Sequence, residues 1–193
     1  MKKYSFPDKF LWGSAFSGPQ TEGAFAIDGK TPTIWDHWFK IKKNRFFEGM
    51  NVKNDFYHKY ETDSKIMGQM GLNGLVYNLD WTRVMLINDS SINMEGIIFY
   101  KNVFASLKAN NVQIIPILFH WDTPLWAEAY GGWTNRKILD SFRIFCQTMF
   151  EQLGKTSDIW YVNDENSTFT LLGYLSDYLP PAKNNTLDTD HKN

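Results

Sequence analysis

Short apolar runs of strand length alternate along the chain with longer segments in which apolar residues recur at helical spacing. The strand-like runs cover residues 10–15, 72–81, 112–120 and 158–163, and the helical segments cover residues 55–70, 95–110 and 135–153. Strands separated by long helices are typical of βαβ units, in which the strands lie parallel and the crossovers are right-handed. The sequence therefore predicts an α/β fold with four parallel strands.

Two α/β architectures fit four such units. Four βα units are half of the eight that close a TIM (β/α)8 barrel, so a partial barrel would leave two strand edges and much of its inner face uncovered. A doubly wound sheet is the alternative, but residues 13–18 match the glycine-rich phosphate loop of that fold poorly. We expect one compact domain over residues 1–182. Residues 183–193 are polar and are expected to form a disordered tail.

The composition argues against several classes of protein. Twenty basic and twenty-one acidic side chains leave a formal net charge of −1, which gives no electrostatic footprint for nucleic acid or an anionic membrane. The single cysteine, Cys146, excludes a disulfide framework and a cysteine-based metal site within the chain, and we expect no cofactor. Pro7 and the charged residues around it interrupt any signal peptide, and no uncharged apolar run reaches about 18 residues. We expect a cytoplasmic protein that acts on a small molecule.

The apolar run at residues 160–163 ends in an acidic pair, Asp164 and Glu165. The carboxyl ends of parallel barrel strands carry catalytic groups, so Glu165 stands where a general acid would be placed. Trp121 follows another predicted strand, and an aromatic ring can stack on the CH face of a sugar. A solvated strand-end glutamate and a ring that fills the core are the alternative interpretations.

The strand-end motifs, in their order and spacing, resemble glycoside hydrolase family 1 from Phe10 to about Pro181. The motifs that carry this resemblance are residues 10–15, 20–23, 120–124 and 160–166. Four further segments are similar to the 6-phospho-β-glucosidase branch of the family, namely residues 17–23, 34–39, 131–136 and 173–178. The resemblance implies a TIM barrel and retaining hydrolysis of a β-glucoside or its 6-phosphate.

The same resemblance implies roles for single residues. Glu165 matches the general acid/base of the family. Gln20, His120 and Trp121 match positions that bind the glycone. Asp164 matches the position of an asparagine that donates a hydrogen bond to the sugar 2-hydroxyl. For His120, a purely structural role is the alternative, because a lone histidine is often a satisfied structural residue.

The chain departs from the family pattern at the chemistry. The pattern Asn-Glu-Pro is replaced by Asp164-Glu165-Asn166, and an ionised carboxylate cannot donate the hydrogen bond of the amide. Val76 falls at the position of an arginine that orients the nucleophile. The motif that carries the nucleophile in the family has no match in these residues. Asp80 and Asp122 are the only substitutes that the predicted strand ends offer.

We therefore expect the amino-terminal half of a family 1 glycosidase barrel, truncated or degenerate, with little or no activity alone. A non-catalytic half-barrel that binds a sugar, or that requires a partner chain with the carboxyl-terminal half, is the alternative from a different class. The uncovered strand edges also predict self-association. A small α/β binding domain unrelated to the family is a third interpretation.

Overall fold

The computed structural model describes residues 4–42, 54–86 and 91–183. Its sheet has the order β1-β2-β3, all parallel, with β1 at Gly13–Phe16, β2 at Gly74–Asn78 and β3 at Gln113–Ile117. The α-helices in these ranges are α1 (Gly18–Thr21), α2 (Ile34–Lys42), α3 (Phe56–Gln69), α4 (Trp81–Val84), α5 (Met94–Ala109), α6 (Leu125–Glu128), α7 (Ile138–Leu153) and α8 (Asn166–Gly173). The prediction of an α/β fold with parallel strands is confirmed.

The helices cover one face of the sheet more completely than the other. Ala15, Val76 and Ile115 lie side by side in the strand register and therefore point to the same face. Ala15 is exposed and Val76 is half-buried, whereas Leu75 and Tyr77, which point to the opposite face, are fully buried. This asymmetry is that of a barrel wall, which has helices on its outside only.

Helix α5 shows why these residues form the outer layer. Asn93 caps the helix, because its side chain accepts a hydrogen bond from the backbone N–H of Glu95. The buried side chains recur every three or four residues and form one apolar stripe, made of Ile97, Tyr100, Val103, Phe104 and Leu107. Gly96 permits a close approach to α4, since a Cβ there would lie 2.1 Å from the carbonyl oxygen of Arg83.

The predicted fourth strand at residues 158–163 is wrong as a regular strand. Of these residues, all of which the structure describes, Tyr161 alone forms a bridge, with Ile117 of β3. Its N–H donates to the carbonyl of Pro116 at 2.9 Å, and its carbonyl accepts from the N–H of Leu118 at 3.0 Å. Tyr161 and Val162 are exposed, so neither a further strand nor a packed face supports this segment on its other side.

Helix α8 was not predicted from the sequence. It begins with Asn166, Ser167 and Thr168, residue types that favour caps and turns over helix interiors. Burial stabilises it, because the ring of Phe169 packs edge to face on that of Phe119, with centroids 5.4 Å apart. A tertiary contact therefore outweighs the local preference.

Aromatic side chains are exposed at both open edges of the sheet. Phe6, Phe10 and Trp12 form a cluster before β1, with ring centroids 4.7 to 4.8 Å apart, and all three are exposed. Tyr161 and Val162 are exposed at the other edge. Contiguous exposed apolar side chains are typical of a surface that another part of a protein covers.

The first residue of the predicted tail is in contact with the domain. The Nζ of Lys183 pairs with the carboxylate of Glu128 and donates to the carbonyl of Gly131 at 3.0 Å. Residues 184–193, which make up the rest of that prediction, lie outside the described residues. Among the described helices, none is long and apolar enough to cross a membrane.

Candidate active site

Two of the predicted site residues, His120 and Glu165, meet at the carboxyl end of the sheet. His120 follows β3, and Glu165 follows the segment that Tyr161 bridges to β3. The His120 Nε2 and the Glu165 Oε2 are 3.4 Å apart, which is long for a hydrogen bond and becomes an ion pair only when the imidazole is protonated. The Glu165 side chain is 51% exposed, so a ligand can reach its carboxylate.

Glu165 is held by a sharp turn rather than by a strand. The N–H of Asp164 donates to the carbonyl of Phe119 at 3.1 Å, which ties this segment to the end of β3. The Asp164 Oδ1 accepts from the N–H of Glu165 at 2.9 Å. Glu165 has φ of 51°, in the left-handed region that few non-glycine residues adopt, and it immediately precedes α8. The turn leaves the Glu165 carboxylate facing His120.

Trp121 is positioned by helix α2. The Trp35 Nε1 donates to the carbonyl of Trp121 at 3.1 Å, and the two indole rings are stacked with centroids 6.0 Å apart. Trp121 has φ of 72°, so this hydrogen bond fixes a turn that the sequence did not predict. Trp35 was not among the predicted site residues, although its segment belongs to the motifs that carry the resemblance.

Gln20 lies at the same end of the sheet but does not join the other site residues. It is exposed on α1, directly after β1, and β2 separates β1 from the strand that carries His120. Among the described residues, no hydrogen bond links the Gln20 side chain to His120 or Glu165. The backbone N–H of Gly18, at the start of α1, donates to the Asn78 Oδ1 at 3.1 Å, which ties the turn of Gln20 to β2.

Asp80 and Asp122, the possible substitutes for a nucleophile, are both buried. Asp80 is 1% exposed, pairs with the Lys30 Nζ at 3.2 Å and accepts from the N–H of Thr82 at 2.9 Å. Asp122 is fully buried and accepts from the backbone N–H groups of Trp81 and His120, each at 3.1 Å. A nucleophile must reach the substrate, so this hypothesis is wrong for both residues.

The two buried aspartates differ in their electrostatics. Burial raises the pKa of Asp80, but the charges of Lys30 and Arg83 and the hydrogen bonds from Thr82 and Lys30 together outweigh it, and the pKa lies below its usual range. Burial, and after it the charge of Asp80, raises the pKa of Asp122 to about 7, against the lowering by the N–H groups of Trp81 and His120. Asp122 therefore changes charge near neutral pH beneath the loop that carries His120.

A second buried cluster, which the sequence did not predict, supports the loop after β1. The Glu22 Oε2 pairs with the Arg83 Nε at 2.8 Å, and both side chains are buried. The Glu22 Oε1 accepts from the hydroxyls of Tyr77 at 2.5 Å and Tyr100 at 3.0 Å. Burial lowers the pKa of the Arg83 guanidinium, but Glu22, Tyr100 and Asp80 together outweigh burial and raise it. Glu22 lies in one of the strand-end motifs, two residues after Gln20, which is the signal that sequence reasoning passed over.

The described residues contain no group of three histidine, cysteine, aspartate or glutamate side chains that could hold a metal ion. Cys146 lies half-buried on α7, and burial raises the pKa of its thiol to about 11. A thiolate, the form that binds metals, is therefore disfavoured at neutral pH.

Comparison with known proteins is consistent with this geometry. The family model described as Glycosyl hydrolase family 1 matches residues 2–192. The chain is 35% identical over 184 residues to the 6-phospho-beta-glucosidase GmuD of Bacillus subtilis, with 94% of the chain and 40% of that protein covered. It is 36% identical over 180 residues to Beta-glucosidase 9 of Arabidopsis thaliana, with 92% of the chain and 35% of that protein covered.

Solved structures give the same result for the fold. A rice Os3BGlu6 beta-glucosidase superposes with a TM-score of 0.90 at 31% identity, covering 95% of the chain and 39% of the rice protein. A family 1 β-glucosidase from Thermotoga maritima gives a TM-score of 0.87 at 28% identity, covering 93% of the chain and 40% of that protein. The chain thus spans about two fifths of the length of these relatives, and its fold is a partial TIM barrel.

Proposed function

Since this chain belongs to glycosyl hydrolase family 1, we propose that it supplies the acid/base side of a β-glycosidase active site. The observation that carries the proposal is the half-exposed Glu165 carboxylate, which faces His120 at the carboxyl end of a parallel sheet. The reaction is retaining hydrolysis of a β-glucoside or its 6-phosphate. Glu165 first protonates the leaving oxygen and then removes a proton from water.

Each of the other predicted site residues has a part in this proposal. The His120 Nε2 donates to a glycone hydroxyl, and the indole of Trp121 packs against the CH face of the sugar. Gln20 hydrogen-bonds glycone hydroxyls from the loop after β1. Asp164 accepts a hydrogen bond from a sugar hydroxyl, because an ionised carboxylate cannot donate one.

The names of the relatives support two substrates equally. GmuD is named a 6-phospho-beta-glucosidase, and the Arabidopsis relative is named a beta-glucosidase. Their identities to the chain, 35% and 36%, do not separate the two. We therefore keep a β-glucoside and its 6-phosphate as the substrate class, and a cytoplasmic location belongs to the proposal, because sugars phosphorylated on uptake are found there.

The reaction requires a second carboxylate about 5 to 5.5 Å from the first. Asp80 and Asp122 are buried and engaged, so the proposal includes a completing carboxyl-terminal half that brings the nucleophile. The exposed edges at Trp12 and Tyr161 support this view, because a neighbouring strand would cover them. A non-catalytic sugar-binding role is the second candidate, favoured by the replacements at Val76 and Asp164.

A chimera tests the proposal. Residues 1–182 of this chain replace the matching segment of the Bacillus subtilis GmuD protein, and hydrolysis of p-nitrophenyl β-glucoside and its 6-phosphate is measured. We expect slow turnover that Glu165→Gln removes and that Val76→Arg with Asp164→Asn increases. Glu151→Gln, at an exposed position of α7, is the matched control and leaves the rate unchanged. Turnover that survives Glu165→Gln would exclude Glu165 as the acid/base.

A further inference from the structure

Asn78 lies beneath the candidate site and contacts the loops that follow β1 and β3. It ends β2 and is fully buried. Its Oδ1 accepts from the backbone N–H of Gly18 at 3.1 Å, at the start of the turn that carries Gln20. Its Nδ2 is 3.4 Å from the Asp122 Oδ1 and 3.4 Å from the carbonyl of Leu79. The amide therefore faces the loop after β1 with one end and the loop after β3 with the other.

Asp122 extends the same connection to a third loop. Its Oδ1 accepts from the N–H of His120, and its Oδ2 accepts from the N–H of Trp81, which begins α4 after β2. One buried carboxylate thus contacts backbone groups that follow β2 and β3. Through Asn78 it also reaches the loop that follows β1.

We propose that Asn78 and Asp122 act together as positioning residues, a strand-end clamp, that hold Gln20 and the His120–Trp121 turn in the arrangement that binds the glycone. The clamp rests on the proposed function for its purpose, but its contacts stand without it. None of its residues touches the sugar.

Packing alone does not account for these two side chains. A buried polar group costs free energy unless it is hydrogen-bonded, and an apolar side chain of similar volume would fill the same space without that requirement. Apart from the carbonyl of Leu79 and the contact between the two side chains, the polar atoms of Asn78 and Asp122 contact backbone N–H groups of the loops that carry or flank the candidate site residues. Gly18 leaves room for this contact, because a Cβ there would lie 3.0 Å from the Asn78 Oδ1.

The clamp depends on the charge of Asp122. All the groups that its carboxylate contacts are N–H donors, so protonation weakens these hydrogen bonds, and a proton on Oδ1, which already faces two donors, displaces one of them. The charged group that acts on it is Asp80, the N-cap of α4, whose own charge is compensated by Lys30 and Arg83. His120, whose backbone N–H donates to Asp122, pairs through its ring with Glu165. With the pKa of Asp122 raised to about 7, the clamp loosens below neutral pH and tightens above it.

Nuclear magnetic resonance of the isotope-labelled full chain tests the clamp without a sugar. The backbone amide of Trp81 donates to the Asp122 Oδ2, so its chemical shift between pH 4 and 9 reports on the charge of Asp122. We expect the chemical shifts of the Trp81 amide and of the Asp122 carboxyl carbon to change together, with a midpoint near pH 7. Asp122→Asn removes the Trp81 transition, and Asp158→Asn, at an exposed position, is the matched control that keeps it.

Two variants of Asn78 test its part in the clamp. Asn78→Ala removes the acceptor of the Gly18 N–H, so the chemical shift of the Gly18 amide changes. Asn78→Asp keeps the acceptor for Gly18 but adds a negative charge beside Asp122, so the Trp81 midpoint rises by a pH unit or more. A Trp81 amide without a transition near pH 7, or a Gly18 amide unchanged in Asn78→Ala, would overturn the clamp. If these shifts behave as expected but no glucoside binds, the clamp stands and the proposed function fails.

Discussion

The two sides of the candidate site are held by different means. The loops after β1 and β2 rest on buried charges, the Glu22–Arg83 pair and the Asp80–Lys30 pair, whose side chains are at most 2% exposed. The segment that carries Glu165 rests on the Tyr161 bridge to β3 and on the hydrogen bond from Asp164 to Phe119, and its side chains are largely exposed. The loops after β1 and β2 therefore form a rigid side that is preorganised within this chain, whereas the segment that carries Glu165 forms an open side that is not.

The first way to sharpen this comparison is to assay the chain alone. We expect no hydrolysis of p-nitrophenyl β-glucoside or its 6-phosphate above the rate in buffer, because Asp80 and Asp122, the other carboxylates at the strand ends, are buried and engaged. Release of p-nitrophenol measures it. Turnover that disappears in Glu165→Gln would contradict this prediction, since it would require a second catalytic carboxylate that the described strand ends do not offer.

Arg83→Met tests the rigid side. Removing one partner of a buried ion pair leaves the Glu22 carboxylate uncompensated, so we expect the free energy of unfolding to fall by about 3–5 kcal/mol. Denaturant titration followed by circular dichroism measures it. Arg143→Met, at an exposed position of α7, is the control and changes stability by about 0.5 kcal/mol or less. Equal effects of the two variants would remove the distinction between the two sides.

The pH dependence of stability tests the buried aspartates. Because the folded-state pKa of Asp122 is raised to about 7 from its ordinary value of 3.8, the folded chain binds more protons than the unfolded chain between these pH values. Its contribution to stability is complete below about pH 4 and is lost as the pH rises to about 7. Asp80, whose pKa is lowered, contributes in the opposite sense and is lost below about pH 4.

Comparison of the wild-type chain with Asp122→Asn isolates the first contribution. We expect the stability of the wild-type chain relative to the variant to fall by up to a few kcal/mol between pH 4 and 8, since each pKa unit corresponds to about 1.4 kcal/mol. Thermal or denaturant unfolding at several pH values measures it. A constant difference across this range would show that Asp122 does not titrate there.

The smallest effect is expected on the open side. Asp164→Ala removes one side-chain hydrogen bond to the N–H of Glu165 in an accessible turn, so we expect a loss of stability of about 1 kcal/mol or less. Denaturant titration measures the loss. A loss of stability as large as that of Arg83→Met would show that the turn at Asp164 and Glu165 is held as rigidly as the loops after β1 and β2.

The well-packed elements could be predicted from the sequence, whereas the segments next to Glu165 could not. Strands β2 and β3 and helices α3, α5 and α7 follow from apolar periodicity, because each buries a continuous face. Residues 158–163 carry the same apolar pattern, but a strand also needs neighbours, and the segment has a partner on one side only. Helix α8 depends on the packing of Phe169 against Phe119, a long-range contact that local propensity does not contain.

The site residues divide in a similar way. His120 and Glu165 were predicted to lie at one end of the sheet, and the structure brings them together. The buried partners Arg83 and Asn78 were not predicted, because a charged or amide side chain within an apolar run gives no sign of the loop that it contacts. The positive φ values at Trp121 and Glu165 were also beyond reach, because both residues are of types that rarely adopt them.

Titration of the labelled chain with methyl β-glucoside tests the central claim, that the residues at the carboxyl end of the sheet form a weak glycone site, most directly. We predict a dissociation constant in the millimolar range or weaker, about 4 kcal/mol or less of binding free energy, because the opposing wall is not part of the described fold. The chemical-shift changes caused by the sugar should cluster at Gln20, His120, Trp121 and Glu165. They should be absent in Trp121→Ala. Shifts confined to other residues, or the same binding in Trp121→Ala, would contradict the account.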